Sequence, residues 1–322
     1  MRSLEQPTES FTACSLSFEV EPSSPASEGW TPPSSVLIAT DGSLASDAAV
    51  VVGRRLAWRA GQEAELVTVF ERPITYEPPL VAGLSDIELE LAAKQSWWYE
   101  IEQQRRRLAP AALRWPVSFE EGRPARAIAD VAASKSRTLI VMGSGGHGLL
   151  ERTVGRELAL SVIRRGVAPV LAVHSDQSRL PASAVAAIDF TPASIEAAHL
   201  ALHLLGDRGT LYLVNVRDGE KDDRSRTNVP DEATARLLLE EVRRTLEPPP
   251  GVTIEDVVMF GDPAHAVLTF AAEQDVDLIA CGMHGYSAFE RFLVGSVSTR
   301  LLRSSHCSVL VAPPGQEGIG WR

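Results

Sequence analysis

Three glycines and a serine near the C-terminal end of the chain have a spacing that suits phosphate binding. Gly282, Gly285 and Gly295 follow an apolar run, and Ser296 and Val297 come directly after the last glycine. Glycine lets the backbone approach a ligand closely, and the free N–H groups and dipole at a helix start favour an anion. From spacing alone, the stretch fits a cradle for a phosphate chain and a surface loop before a helix equally well.

The glycine pattern belongs to a segment that occurs twice. Residues 121–148, EGRPARAIADVAASKSRTLIVMGSGGHG, align with residues 260–287, FGDPAHAVLTFAAEQDVDLIACGMHGYS, and Asp41 in the first half aligns with Asp189 in the second. Such self-similarity indicates two copies of one folding unit. We expect a first domain at 34–176, a second domain at 181–316, a flexible N-terminal tail at 1–33 and a C-terminal tail at 317–322.

Each copy alternates short β-branched runs with longer amphipathic stretches. This alternation predicts an α/β, Rossmann-like fold, with a five-stranded parallel sheet and helices on both faces in each domain. The predicted strands are 36–40, 64–70, 117–119, 138–142 and 169–173 in the first copy, and 184–188, 210–216, 252–259, 277–280 and 308–312 in the second. Thr191-Pro192 and Asp262-Pro263 have the N-cap and first-turn proline typical of helix starts. Ligands bind such sheets beyond the carboxyl ends of the strands, where strand order reverses.

The first copy departs from the glycine pattern. Gly143 and Gly146 are in place, but Gly155 arrives one residue early and Arg156 stands where the second copy has Ser296. An arginine at a helix start sets a cation against the positive end of the dipole, although a guanidinium also suits direct contact with a phosphate. We therefore expect the second copy, rather than the first, to suit a phosphate chain.

The glycine spacing, an aspartate after the first strand and a final SVLVAP strand together resemble the universal stress protein family. The resemblance covers both copies, which makes the chain similar to a tandem-type member, and it implies an adenine nucleotide alpha hydrolase-like fold. Members with this glycine pattern bind ATP, so the resemblance implies an ATP site in the second domain. The residues carried over are Asp189, Val214, Val216, Gly282, Gly285, Gly295, Ser296 and Val297, and in the first domain Asp41, Gly143, Gly146 and Gly155.

Two features near this site leave alternatives open. Asp41 and Asp189 each follow a strand, where a carboxylate could serve a ligand, cap a helix or hold Mg²⁺ beside a triphosphate. Phe190-Thr191 stands where the first copy has Gly42-Ser43, which leaves a hydroxyl near the pocket but adds a ring that could narrow it.

The resemblance also implies pairing between domains. Members of the family often pair through the last strand of the domain, so we expect 170–173 and 309–312 to meet within the chain as a pseudo-dimer. Exposed edge strands invite such pairing. Two chains are then expected to form a homodimer, and the signalling partner stays unknown.

Composition excludes several other functions. The net charge of −11 argues against a surface built to bind nucleic acid or anionic lipid. No run of about 18 apolar residues predicts a membrane span, and Glu5 and Glu9 stand where a signal peptide would need an apolar core. Three cysteines without CxxC spacing predict a reducing, cytoplasmic location.

Other residue combinations do not predict a further binding site. A Walker A sequence is absent. His199 with His203, and Cys281 with His284, are pairs, which is too few ligands for a zinc site, so no metal site is predicted. The aromatic run at 97–99 is expected on the inner face of an amphipathic helix rather than in a base-stacking strip beside Arg105 to Arg107.

Together these observations predict a non-catalytic, ATP-binding stress-response module, because no arrangement of nucleophile and base is evident. Two alternatives stay open. One is an interaction scaffold with vestigial nucleotide pockets, in which Phe190 would fill the pocket of the second domain. The other is a slow ATPase on the same fold.

Overall fold

The structure is a computed structural model, and it describes residues 30–71, 86–108, 115–145, 149–217, 232–283 and 295–314. Residues 86 and 149–153 are described by their backbone alone. Gly146, Gly285 and His284, which the sequence analysis singles out, lie outside the described residues.

The described residues of the first unit form five strands and four helices in alternation. Its strands are β1 (Ser35–Ala39), β2 (Glu63–Phe70), β3 (Val117–Glu121), β4 (Thr138–Gly143) and β5 (Val170–Val173). Its helices are α1 (Asp47–Ala60), α2 (Asp86–Leu108), α3 (Pro124–Ala133) and α4 (Leu149–Ile163), with a short 3-10 turn at Leu44–Ser46 before α1.

The second unit repeats this order. Its strands are β6 (Ser183–Ala187), β7 (Arg208–Arg217), β8 (Gly251–Phe260), β9 (Leu278–Gly282) and β10 (Ser308–Ala312). Its helices are α5 (Pro192–Leu205), α6 (Glu232–Thr245), α7 (Pro263–Glu273) and α8 (Ser296–Ser304). Thr191 and Asp262 are the N-caps of α5 and α7, with a proline next in each case, as predicted.

All ten strands form one sheet, in the order β3-β2-β1-β4-β5-β10-β9-β6-β7-β8. Within each unit every neighbouring pair is parallel, which confirms the predicted fold class. The strand order reverses between β1 and β4 in the first unit and between β6 and β9 in the second. The last strands, β5 and β10, are the predicted intrachain pair, and they are antiparallel, with Leu171 opposite Leu310.

The sheet separates two hydrophobic cores, because successive side chains of a strand point to opposite faces. The first-face core contains residues of α1, α5 and α6 together with strand residues such as Ile38 and Ala186. The second-face core contains residues of α3, α4, α7 and α8 together with strand residues such as Leu37 and Val185. Both cores run across the two units, so the junction is continuous hydrophobic interior.

Two arginines of the first unit bind the C-terminal ends of helices in the second. On the first face, Arg59 donates to the carbonyl oxygens of His203 and of Leu204, the latter at 2.9 Å, at the end of α5. On the second face, Arg156 donates to the carbonyl oxygens of Arg303 and of Ser305, the latter at 3.0 Å, at the end of α8. A cation there satisfies carbonyls that lack intrahelical partners and complements the negative end of the helix dipole.

Residues just before β1 also contact both units. The Trp30 indole stacks on the His199 ring of α5, with centroids 5.2 Å apart and an interplanar angle of 9°. Its Nε1 donates to Glu196 Oε2 at 3.0 Å. The carbonyl oxygens of Pro32 and Pro33 accept from Arg137 and Gln62 of the first unit.

The expectation for the aromatic run on α2 is wrong for two of its three residues. Trp97 is half-buried, and its Nε1 donates to Thr68 Oγ1 at 3.1 Å. Trp98 and Tyr99 are instead exposed, at 48% and 59%. They lie on the outer face of α2 because the buried positions beside them, Ile101 and Gln104, already supply its inner face.

Candidate functional site

The residues predicted to bind nucleotide in the second unit lie at the carboxyl edge of its sheet. Asp189 follows β6, Gly282 ends β9, and Gly295 immediately precedes α8. Since β6 and β9 are adjacent strands at the point where strand order reverses, these residues occupy the position at which parallel α/β sheets bind ligands.

Asp189 shapes the loop that leads from β6 into α5. Its Oδ1 accepts hydrogen bonds from the Thr191 backbone N–H at 3.0 Å and the Thr191 hydroxyl at 2.5 Å. Asp41 does the same in the first unit, accepting from the Ser43 N–H at 3.0 Å and hydroxyl at 2.6 Å. This is the local turn that Asp favours. Both carboxylates therefore stabilise the loop after the first strand of their unit, whether or not a ligand is bound.

Phe190 adopts an unusual backbone conformation and points away from α8. Its φ is +63°, close to the +82° of Gly42 at the matching position of the first unit; bulky residues rarely adopt such angles. The ring packs against the first-face core, whereas Val297 of α8 packs against the second-face core. The structure thus places Phe190 on the face of the sheet opposite α8, which weighs against the hypothesis that its ring fills the pocket.

The two predicted valines of β7 differ in accessibility. Val214 is only 1% exposed, and its carbonyl oxygen accepts from the Ile188 N–H at 2.8 Å. Its side chain therefore contributes to the second-face core. Val216, two residues nearer the end of the strand, is half-buried on the same face, so it is the valine that lies nearer the open edge of the site.

One residue that sequence reasoning missed holds this edge together. Asn215 is buried, and its Nδ2 donates to the Ile188 carbonyl oxygen at 2.7 Å, which ties the end of β7 to the end of β6. An amide inside the apolar run TLYLVNV was the available signal, because a buried polar side chain needs a partner.

Gly282 is required for packing. A Cβ at this position would lie 2.7 Å from the Ser194 backbone nitrogen and 2.8 Å from the Ala193 carbonyl carbon, both in the first turn of α5. At the matching Gly143 a Cβ would lie 3.0 Å from the Ala45 carbonyl oxygen. In each unit the first glycine of the pattern lets the segment after the unit's first strand approach the sheet: the first turn of α5 in the second unit and the 3-10 turn before α1 in the first. The occurrence of this glycine is thus explained without a ligand.

Gly295 has a different position, at the start of a helix. It is the N-cap of α8 with extended backbone, and its own carbonyl oxygen accepts from the Thr299 N–H at 3.0 Å. Ser296 is exposed and Val297 is half-buried. The first N–H groups of any helix lack intrahelical acceptors, so this end presents donors and a positive dipole end together with the Ser296 hydroxyl.

The first unit differs at this point. Helix α4 begins at Leu149 and continues through Gly155, so the glycine that matches Gly295 lies inside a helix. A Cβ at Gly155 would lie 2.5 Å from the Gly145 nitrogen and 2.6 Å from its Cα. The loop backbone after β4 therefore touches the side of α4 where the second unit has a helix start. Arg156 donates to carbonyl oxygens at the end of α8, so its guanidinium already has hydrogen-bond partners in the second unit.

Helix α2 adds a further difference on the opposite side of the first unit. The backbone of α2 lies against Gly42, where a Cβ would be 2.8 Å from the Glu100 carbonyl carbon. Gln104 is 1% exposed. Its Oε1 accepts from the Thr40 hydroxyl at 2.6 Å, and its Nε2 lies 2.8 Å from both Ser46 Oγ and Asp47 Oδ1. The loop after β1 is thus fastened to α2 by a buried polar network.

Burial favours the neutral forms of Cys281, which lies in the sheet at this site, and of His199 and His203, which lie further along α5. It raises the pKa of the Cys281 thiol to about 12, with a smaller contribution from the charge of Asp189. It lowers the pKa of His199 and His203 to about 4. Within the described part of the chain, no three His, Cys, Asp or Glu side chains cluster as a metal site would require. No helix among the described residues has both the length and the apolar character needed to cross a bilayer.

Comparison with known proteins agrees with this architecture. The sequence model of the Universal stress protein family matches residues 34–174 and again 183–313. A universal stress protein of Mycolicibacterium smegmatis is 29% identical over 304 residues, which are 87% of this chain and 97% of the relative.

A solved structure shows the same fold. A universal stress protein from Archaeoglobus fulgidus superposes with a TM-score of 0.64 at 20% identity, covering 88% of this chain and 97% of its own. Another, solved in complex with cAMP, covers 42% of this chain and 99% of its own, at 22% identity and a TM-score of 0.35; the cAMP is a ligand of that protein. With two matches that account for most of its length, the chain belongs to the universal stress protein family and carries two of its domains in tandem.

Proposed function

We propose that the second domain binds an adenine nucleotide, with ATP as the preferred ligand, and that the first domain does not. One observation carries this proposal: helix α8 begins directly after Gly295, whereas α4 begins at Leu149 and runs on through Gly155. The glycine pattern of nucleotide-binding members thus coincides with a helix start in one unit only.

The groups around this helix start suit a nucleotide. The phosphates would face the N–H groups of α8, where a negative charge gains roughly 0.3–1 kcal/mol from the dipole alone. The Ser296 hydroxyl is exposed beside them. Asp189 and Val216 lie at the ends of neighbouring strands, on the side that the family resemblance assigns to adenine. Mg²⁺ would be held by the triphosphate oxygens and a carboxylate.

The corresponding part of the first domain instead contacts its own helix α4 and the end of α8 in the second domain. Its loop backbone is packed against α4 at Gly155, and Arg156 binds the last carbonyls of α8. We expect a non-catalytic module in which nucleotide occupancy of one domain reports the energy state of the cell during stress to a signalling partner.

Matched alanine substitutions at the two aspartates test this asymmetry. Asp189→Ala and Asp41→Ala each remove a carboxylate that accepts from the N–H and hydroxyl two residues later, so both lose the same loop contacts. By calorimetry, the native chain should bind one ATP. Asp189→Ala should weaken binding roughly tenfold to a hundredfold, because a hydrogen bond to a charged group contributes about 1.5–3 kcal/mol, whereas Asp41→Ala should leave the affinity unchanged.

Three outcomes would contradict the proposal: two nucleotides per chain, no binding, or equal loss in both variants. Gly295→Val supplies a second arm, since a side chain at the helix start should exclude the phosphates. Phosphate release measured on the same samples tests the non-catalytic role. Turnover faster than spontaneous hydrolysis, lost in Asp189→Ala, would indicate an ATPase.

A further inference from the structure

Strand β3 lies at one edge of the sheet, beside an aromatic groove. It pairs with β2 on one side, and no strand among the described residues pairs with its other side. The groove has a volume of about 680 Å³ and lies between β3 and α2. Phe119 and Trp98 line it with ring centroids 4.4 Å apart, and both side chains are exposed. We call this space the α2 groove.

The two faces of β3 differ in polarity. Val117 packs against the first-face core, and Phe119 lies on the same face because side chains alternate along a strand. Ser118 and Glu120 therefore lie on the opposite face, where the Ser118 hydroxyl donates to Glu65. A strand added beside β3 would need apolar side chains towards the α2 groove and polar side chains on the other face.

The N-terminal part of the chain contains a segment with this pattern. Residues 14–20 read CSLSFEV, with Cys14, Leu16, Phe18 and Val20 at alternate positions and Ser15, Ser17 and Glu19 between them. Strict alternation of apolar and polar residues is typical of a strand that buries one face. The segment therefore has the pattern that the free side of β3 requires.

The charge of the N-terminal residues also complements the α2 groove. Residues 1–29 contain five glutamates and one arginine. The groove presents the cations Lys94 and Arg106 and one acid, Glu102. Opposite charges favour contact between the two surfaces and disfavour a basic occupant.

The connection to β1 is long enough for this contact. Residues just before β1 lie at the amino edge of the sheet, where the carbonyl oxygens of Pro32 and Pro33 accept from Arg137 and Gln62. The free side of β3 is three strand spacings from β1, about 15 Å. Residues 21–29 alone can span about 30 Å when extended, so residues 14–20 can reach it.

We propose that residues 14–20 form a further strand on the free side of β3, with Leu16 and Phe18 in the α2 groove. The strand runs antiparallel to β3, because its C-terminal end then lies at the amino edge, from which the chain continues to Trp30. Backbone hydrogen bonds to β3 hold the strand, and its alternate side chains fill the groove. The addition covers an edge that would otherwise be open to pairing with other chains.

Hydrogen exchange of the full chain, followed by mass spectrometry, measures the proposed strand. In an antiparallel pair every other amide of the added strand is directed at its neighbour. About half of the amides of 14–20 should therefore exchange at least about tenfold more slowly than the same residues in an unstructured peptide. The protection should be the same at every chain concentration, because the contact is within one chain. It should also be the same with and without ATP, since β3 and α2 belong to the first domain.

Matched substitutions in the segment test its orientation. Leu16→Asn/Phe18→Asn removes the apolar side chains assigned to the α2 groove and should abolish the protection. Ser15→Asn/Ser17→Asn changes the alternate positions, which face away from the groove, and should retain it. Both variants keep the net charge, and both leave residues 30–314 unchanged.

A substitution in the groove tests the location. Trp98→Ala should reduce the protection of residues 14–20, whereas Trp58→Ala, at an exposed tryptophan of α1, should not; far-UV circular dichroism verifies that both variants are folded.

Four outcomes would overturn the proposal. Residues 14–20 could exchange as fast as an unstructured peptide, or the two segment variants could behave alike. Protection that persists in Trp98→Ala would place the segment elsewhere on the molecule. Protection that rises with chain concentration would assign the contact to a second copy.

Discussion

At the scale of single residues, the glycines of one motif serve different purposes. Gly282 allows the first turn of α5 to lie against β9, with the Ser194 nitrogen 2.7 Å from the place of a Cβ. Gly295 is the N-cap of α8, where the proposed nucleotide would approach. Spacing alone cannot separate these purposes, because both require the absence of a side chain.

Alanine at the two matching packing glycines should therefore destabilise to different extents. Gly282→Ala forces a shift of helix backbone and should lower the free energy of unfolding by about 1–3 kcal/mol. Gly143→Ala, where the nearest atom is a carbonyl oxygen at 3.0 Å, should cost less. Urea unfolding of both variants measures the difference. If neither variant is destabilised and only Gly282→Ala loses ATP affinity, Gly282 contacts the ligand and the packing interpretation fails.

At the scale of secondary-structure elements, α2 is the helix whose attachment was least evident from sequence. Its inner face bonds to the loop after β1 through Gln104, whose amide contacts Thr40, Ser46 and Asp47. Its outer face carries the exposed side chains of Leu91, Trp98 and Tyr99. Both faces mix polar and apolar residues, so the helix lacks a clear hydrophobic side and its orientation could not be read from periodicity.

Replacing Gln104 with leucine tests that attachment. Gln104→Leu keeps the approximate volume but removes one hydrogen-bond partner from each of the Thr40 and Ser46 hydroxyls and the Asp47 carboxylate, and should lower stability by about 1–3 kcal/mol. Hydrogen exchange should show α2 losing protection before the strands. Gln274→Leu, at an exposed position after α7, is the control and should be near neutral. Equal effects in the two variants would show that the Gln104 network contributes little.

The strands themselves were predictable from sequence. Each lies within two residues of its predicted range, because apolar β-branched runs between turn residues admit few other assignments. The helix starts at Thr191 and Asp262 followed from their cap residues and prolines. The contacts of individual side chains at the site did not follow so directly.

The contacts that could not be predicted from sequence share a physical cause. The contact of Gly145 with Gly155, the carbonyl partners of Arg156 and the direction of the Phe190 ring all depend on how separate elements meet in space. The periodicity of apolar residues predicts which face of a strand or helix is buried, but it does not predict which other element packs against that face.

At the scale of the whole molecule, the two units are joined by a buried cluster at their first face. Trp30 stacks on His199, Arg59 binds the His203 carbonyl oxygen, and Glu196 accepts from the Trp30 indole. Burial lowers the pKa of both imidazoles to about 4, and it raises the pKa of the Glu196 carboxyl. The junction therefore favours neutral side chains.

Acid should weaken this junction. An unfolded chain binds protons at its histidines near pH 6.5, whereas the folded chain binds them only near pH 4. Stability is therefore lost as pH falls from about 6.5 towards 4, on the order of 3 kcal/mol per histidine. The raised pKa of Glu196 acts in the opposite direction and reduces the net loss.

His199→Gln/His203→Gln should flatten this dependence in urea unfolding measured at successive pH values. His265→Gln, which changes an exposed histidine in the first turn of α7, should leave the slope as it is in the native chain. A double variant with an unchanged slope would show that the acid sensitivity arises elsewhere.

The antiparallel pairing of β5 with β10 reverses the strand direction between the two units. Because each unit is parallel within itself, the carboxyl edge of the first unit faces one end of the sheet and that of the second faces the other. The two candidate sites therefore lie at opposite ends of the sheet and share no residues. If only the second candidate site holds nucleotide, the two ends of the sheet differ, because one end binds a ligand and the other does not. A receptor that distinguishes the loaded form must then approach the end where β6 and β9 stop.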